Sequence, residues 1–134
     1  MTEEYIDLGL PSGTVWKNTN EEGYYAFDEA VSKYSNYLPT KEQWEELKNL
    51  CQWEWIGDGY RVNGPNGNSI TLPAEGIRSC FGNEYYVYYV GYDGFYCSST
   101  PHSSDHTWTL YFYSGSVYMD NAYRCHGISV RLVK

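Results

Sequence analysis

The sequence predicts an α+β domain in which two N-terminal helices pack on a β-rich, loop-rich second half. Three observations lead there. Apolar residues recur at helical spacing over residues 25–34 and 41–50. That period disappears from Gln52 onward, where turns such as Gly57-Asp58-Gly59, Asn63-Gly64-Pro65-Asn66-Gly67-Asn68 and Tyr92-Asp93-Gly94 separate the apolar runs. Finally, 134 residues with 42% apolar content suffice for one core and are too few for two comfortable ones. Residues 1–134 are therefore read as a single domain, with a scaffold of about 1–84 and a second region of about 85–134 that differs from it in composition.

The chain opens with Tyr5-Ile6-Asp7-Leu8-Gly9-Leu10, the turn residues Pro11-Ser12-Gly13, and Thr14-Val15-Trp16, which together read as a hairpin. A first helix is expected over Tyr25 to Tyr34, with Ala26, Phe27, Ala30 and Val31 on one face. A second follows from Lys41 to Leu50, with Trp44, Leu47 and Leu50 on one side. Thr40 and Gln43 have the form of a capping box, in which the hydroxyl meets an orphan amide and the glutamine reaches back to the cap. The most legible strand pair comes late. Trp108, Leu110 and Phe112 alternate with Thr109, Tyr111 and Tyr113, the chain turns at Ser114-Gly115-Ser116, and Val117 and Met119 alternate with Tyr118 and Asp120 on the return. Tyr111, Tyr113, Tyr118 and Asp120 should then emerge together on the face opposite the apolar set. In the closing Ser129-Val130-Arg131-Leu132-Val133, Val130 and Leu132 are expected inward.

Between Tyr85 and Val133 the chain has no Lys, Glu or Gln, yet it holds ten tyrosines. Taken singly, each tyrosine fits an aromatic β core, as Tyr96 beside Phe95 does. As a group they do not, because a core gives no reason to exclude Lys, Glu and Gln from the solvent-facing positions too. Tyr offers wide, rigid contact area for two frozen torsions, and Ser, Gly and Asn add adaptable hydrogen bonds, as in antibody paratopes. A net charge of -8 argues against nucleic acid as a partner. No apolar run approaches the ~20 residues needed to cross a bilayer. Met1-Thr2-Glu3-Glu4 lacks the basic start of a secretory signal, so a surface location would depend on a longer parent chain or a virion. Cys51, Cys80, Cys97 and Cys125 are spaced too widely for a Cys-x-x-Cys pair and are expected as free thiols, with a Cys51–Cys80 bridge as the alternative.

Leu38-Pro39-Thr40-Lys41-Glu42-Gln43-Trp44-Glu45 resembles the Leu-Pro-Thr-x-x-x-Trp-Glu helix start of the formylglycine-generating-enzyme-like branch of the C-type lectin fold. The opening Ile6 to Trp16 and the middle Gly64 to Ala74 look like a paralogous set of such domains from gut bacteria and their phages. Ser98-Ser99-Thr100-Pro101, Leu110 to Gly115, Met119, Arg124 and Gly127 to Val133 resemble the variable proteins diversified by diversity-generating retroelements. In those systems template adenines are misread, so AAC-type codons become Tyr, Ser, Asp, His, Cys, Phe, Ile and others, and never Lys, Glu, Gln, Trp or Met. The resemblance therefore implies that Trp108 and Met119 are fixed. It implies that Tyr92, Asp93, Phe95, His102, Ser104, His106, Tyr111, Tyr113, Ser116, Tyr118, Asp120, Asn121, Tyr123, Cys125, His126 and Ile128 vary and bind ligand. Assignment over Tyr85 to Tyr89 and at Ala122 rests on a looser match.

The expected function is thus a hypervariable receptor-binding or adhesin domain, on a phage tail fibre or a bacterial surface, with a protein target and no cofactor. The alternatives are a formylglycine-generating-enzyme-like catalyst using Cys97 or Cys125, and a structural surface paralogue that is not diversified. Against catalysis, these cysteines do not form that enzyme's closely spaced motif, and Cys125 and His126 would point to opposite strand faces. His102, His106, Cys125 and His126 are zinc-ligand types, but Pro101, Ser103, Ser104 and Asp105 make the segment a loop, so no metal is expected. The Glu-Pro-Asn, Gln-Pro-Asp and Trp-Asn-Asp motifs of calcium-dependent sugar binding are missing from the sequence. Oligomeric state is left open by the sequence.

Overall fold

A computed structural model describes residues 4–81 and 86–134; Tyr85, one of the less securely matched tyrosines, lies outside the described residues. The architecture is mixed α+β, with two helices and several small antiparallel sheets. Strands β1 (Tyr5–Asp7) and β2 (Val15–Lys17) form the opening hairpin. The first strand is shorter than the sequence predicts because Leu8 and Leu10 leave the ladder to enter the core. Helix α1 spans Phe27–Tyr34. It starts two residues later than expected, since Tyr25 exchanges both backbone hydrogen bonds with Ile128 (2.9 and 3.0 Å) and is held extended.

Helix α2 spans Lys41–Leu50, and its capping box forms as expected: the Gln43 amide donates to Thr40 Oγ1 at 3.1 Å, and the Thr40 amide donates to Gln43 Oε1 at 2.9 Å. Trp44 and Leu47 are fully buried. Leu50, expected on the same side, is instead 48% exposed, because the helix ends there and Cys51 turns the chain into an extended conformation.

The remainder is strand and loop. Strands β3 (Gln52–Trp55), β4 (Gly59–Asn63) and β5 (Ser69–Pro73) form one antiparallel sheet, with Val62 opposite Ile70 and Trp53 opposite Val62. Strands β6 (Ile77–Arg78) and β7 (Val87–Tyr88) form a short ribbon. Strands β8 (Gly94–Pro101), β9 (His106–Tyr113) and β10 (Ser116–Tyr123) make the sheet that carries the late hairpin, in the order β10-β9-β8. Gly94 permits this sheet to close, as a Cβ there would collide with the Phe112 ring.

Two cores flank β8. Tyr96, Leu110 and Phe112 join Trp16, Trp44, Val62 and Leu72 on one face, while Cys97 joins Phe27, Ala30, Ile128 and Val130 on the other. Trp44 bridges its neighbours, with ring centroids 4.6 Å from Trp16 and 5.6 Å from Tyr96, and its indole Nε1 donates to the Cys97 carbonyl at 3.0 Å. The last segment does not alternate as expected. All residues from Gly127 to Val133 are buried, because this extended stretch bridges in turn to Arg78, Tyr25, Tyr96 and Trp16 rather than lying at a sheet surface.

Burial of Arg131 follows from that path. Its guanidinium, 1% exposed, donates to Asn20 Oδ1 (2.8 Å), the Lys17 carbonyl (3.0 Å) and the Thr71 carbonyl (2.6 Å). Burial pulls its pKa down to about 10, with Tyr96, Glu75 and Glu21 opposing the shift. Removing one member of such a network leaves buried polar groups unpaired. Arg131→Ala is expected to cost about 3–5 kcal/mol in urea denaturation, against about 1 kcal/mol for Thr40→Ala at the helix cap.

Candidate ligand-binding face

Strand register assembles the central feature. Phe95, Tyr111 and Tyr118 are directly opposed across β8, β9 and β10, so their side chains share a face. Ring centroids lie 4.7 Å apart for Phe95 and Tyr111, 5.2 Å for Tyr111 and Tyr118, and 5.8 Å for Tyr111 and Tyr113. Tyr113 is 39% exposed and Tyr118 36%, while Tyr111 and Phe95 form the half-buried floor. The Tyr111 hydroxyl donates to Asp93 Oδ2 at 3.1 Å. Its pKa stands well above the ordinary tyrosine value, first through desolvation and then through that bond to Asp93. Ser116 and Asp120 lie along the same strand, Asp120 exposed and accepting from the Asn121 amide at 2.8 Å. Tyr92, 73% exposed, stands beside Asp93 in the turn before β8.

The expected site residues do not all join this cluster. Tyr123 is five residues beyond Tyr118 in one strand, and period two sends it to the opposite face, opposite His106 in register. A second cluster gathers there, with His106 and Tyr123 centroids at 4.2 Å, Tyr123 and His126 at 5.7 Å, and His102 and Trp108 at 4.8 Å. Asn121 is opposite Trp108, and Ser104 lies in the exposed bend between His102 and His106. A register shift between Cys97 and Pro101 interrupts the pairing just before that bend. His106 Nδ1 lies 2.7 Å from Asp105 Oδ1, which holds the Asp105 carboxyl below its usual pKa.

Two expected positions need correction. Ile128, expected at the ligand surface, is 1% exposed inside the second core, and its backbone is paired with Tyr25. Cys125 is not a free thiol: it forms a disulfide with Cys80, with Cα atoms 5.7 Å apart and 45 residues between them in sequence. The bridge alternative of Cys51 with Cys80 is likewise replaced, and Cys51 and Cys97 are the free cysteines. Burial pushes the Cys97 thiol up to about 12, and burial with Glu46 nearby pushes Cys51 to about 11. Sequence distance hid the bridge, since no local motif marks a pair that only the fold brings together.

The disulfide also recruits residues missed in the sequence. Phe81, next to Cys80, sets its ring 5.2 Å from Tyr123 and 5.0 Å from His126. Trp55, away from the disulfide, lines a cavity with Tyr92, Asp93 and Tyr113, and its alternation with Trp53 in Gln52-Trp53-Glu54-Trp55 is the local signal for a strand there. The Sγ atoms of Cys80 and Cys125 and a ring nitrogen of His126 lie within 4.8 Å of one another, but the two thiols are consumed by the bridge and His126 Nδ1 accepts from the Cys80 amide at 3.2 Å. His102 and His106, with centroids 6.2 Å apart, belong to no three-ligand cluster among the described residues.

Two outcomes test this arrangement. Cys80→Ser is expected to lower stability by about 4 kcal/mol, read as a shift in the denaturant midpoint, because it frees a 45-residue loop in the unfolded chain. Burial depresses the pKa of His126 below 6.5, so the unfolded chain takes up its proton first as pH falls. The stability present above pH 6.5 should decline below it, and His126→Gln should flatten that slope in urea midpoints measured from about pH 7.5 to about pH 5.

No curated protein and no solved structure matches this chain. A family model described as a domain of unknown function, DUF8237, matches residues 46–133, which spans α2 from its second turn, both larger sheets and the closing segment. The chain belongs to the DUF8237 family.

Proposed function

We propose that the chain is a hypervariable ligand-binding domain on a C-type lectin fold, a variable protein of a diversity-generating retroelement that binds protein targets through its tyrosine-rich face. One observation carries this reading. Phe95, Tyr111, Tyr113 and Tyr118 make a contiguous, solvent-reaching aromatic surface, while their strand neighbours Tyr96, Leu110 and Phe112 are fully buried. Display residues on such a frame are replaceable without loss of the core, and a few aromatic anchors supply most of the energy of a protein interface.

Binding is favoured over catalysis because neither candidate nucleophile is ready. Cys97 is sealed with its thiol pushed up to about 12, and Cys125 is bonded to Cys80. The disulfide also favours an oxidising compartment, in keeping with display on a bacterial surface or at a phage tail-fibre tip through a parent chain. The net charge of -8 disfavours nucleic acid. In this reading Ile128 and Cys125 belong to the frame rather than the display set.

Target capture is the direct test. Changing Tyr111, Tyr113 and Tyr118 together to Ala should weaken capture of a host-surface protein by about 100-fold or more while the circular dichroism spectrum is retained. Undiminished capture would overturn the reading. Sequencing the flanking DNA should reveal a reverse-transcriptase gene and an adenine-rich near-copy of the 3′ end; their lack would favour the structural paralogue instead.

A further inference from the structure

Beside the tyrosine cluster lies a cavity of about 410 Å³ lined by Trp55, Tyr92, Tyr113 and Asp93, with Gly57, Gly91 and Ser114 closing its rim. Its volume falls within the range of roughly 300–1,000 Å³ typical of ligand sites. The geometry points to this cavity as a cation subsite that accepts an arginine side chain of the protein target. The inference rests on the binding reading and supplies the ligand chemistry that it leaves open.

Each wall is held by the frame. Trp55 packs edge-on against Tyr60 (5.1 Å) and Phe112 (6.5 Å). The Tyr113 carbonyl accepts from the Tyr60 hydroxyl at 2.7 Å, fixing the backbone under that ring. Tyr92 and Asp93 are positioned by a tight turn in which both amides donate to the Tyr89 carbonyl at 3.0 Å, with Tyr89 in the left-handed region at φ 67°. The Gly76 amide, donating to the Asp93 carbonyl at 2.9 Å, secures the turn from the other side.

The chemistry is that of a cage for a positive group. Three aromatic residues and one aspartate line it, the residue types that attract a cation through ring quadrupoles and a carboxylate. Tyr111 occupies Asp93 Oδ2, while Oδ1 has no hydrogen-bond partner among the described residues. No Lys, Arg or His lines the cavity to neutralise it. A guanidinium suits this lining better than an ammonium. It is planar, stacks on aromatic rings, sheds water more readily, and offers a fork of N–H donors to a carboxylate. The remaining volume accommodates the aliphatic stem, and the net charge of -8 draws a basic segment toward the surface.

The test uses an acetylated, amidated Gly-Gly-Arg-Gly-Gly peptide titrated into ¹⁵N-labelled protein. Shifts are read at the Trp55 indole and the Gly57 and Gly91 amides. The arginine peptide should move these signals saturably. A citrulline peptide, the same shape without charge, should bind about tenfold more weakly, and a lysine peptide should also bind more weakly than arginine. Asp93→Asn and Tyr92→Ala should each cost about tenfold, and Tyr92 is exposed enough that its loss leaves the fold intact. Equal binding of citrulline, lysine at least as tight as arginine, indifference to Asp93→Asn, or silence of these signals overturns the assignment. So does a response to methyl glucoside with none to arginine, which would make the cavity a sugar site. Capture that depends on Tyr111, Tyr113 and Tyr118 alongside an arginine-blind cavity would remove only this subsite; arginine binding without tyrosine-dependent capture would remove only the display reading.

Discussion

The constraint on which the rest of the structure depends is the burial of a charged side chain, Arg131, in the chain's last extended segment. A guanidinium removed from water must have its donors met, and here they are met by Asn20, by β2 at Lys17 and by β5 at Thr71. Elements distant in sequence are tied together by one residue. Asn20 extends the network, donating to the Tyr96 hydroxyl at 2.8 Å and to Glu75, and the Tyr96 hydroxyl donates in turn to the Pro73 carbonyl at 2.7 Å. Since Tyr96 sits in β8, the network reaches the sheet that carries Tyr111 and Tyr118. A buried polar network in which each guanidinium nitrogen has an acceptor specifies one arrangement where apolar packing alone tolerates several.

That clamp explains why β8 is buried on both faces while the hairpin beside it stays open. The closing segment pairs with β8 between Phe95 and Cys97 and brings the second core against it, whereas Tyr111 and Tyr118 lie nearer the Ser114-Gly115 turn and meet solvent. Rigidity and exposure thus occur side by side in one sheet. The Tyr96 and Phe112 rings, 5.9 Å apart, anchor strands whose alternate residues form the exposed aromatic surface, so that a solvent-facing side chain is separated from the core by the strand itself. The disulfide does the same at the far end, where Cys80 and Cys125 fasten the loop bearing Phe81 against Tyr123 and His126.

Much of this was legible from local patterns. The capping box at Thr40 and Gln43 and the buried pair Trp44 and Leu47 are consequences of helical period, and both appear. The late hairpin follows from period two, down to the pairing of Tyr111 with Tyr118, although its turn is tighter than expected, with Ser116 already in β10. The departures have both distant and local causes. Tyr25 leaves α1 because Ile128 takes its backbone bonds, and Leu50 overhangs solvent because the helix stops. The sixteen expected contact residues divide into two clusters, the bridged Cys125 and the buried Ile128, and strand parity between Tyr118 and Tyr123 separates the clusters within β10.

Taken by itself, the amino-acid order determined the α+β composition, the second helix, the hairpin and the shared face of Tyr111, Tyr113 and Tyr118, because each arises from hydrogen bonds and side-chain directions among residues near one another in the chain. Tertiary structure alone decided the Cys80–Cys125 bridge, the Arg131 clamp, the burial of Ile128 and the meeting of Trp55 with Tyr92, Asp93 and Tyr113. Each of these joins groups tens of residues apart, and no periodicity or spacing encodes such a meeting; it is set by which surfaces pack once the apolar faces leave water.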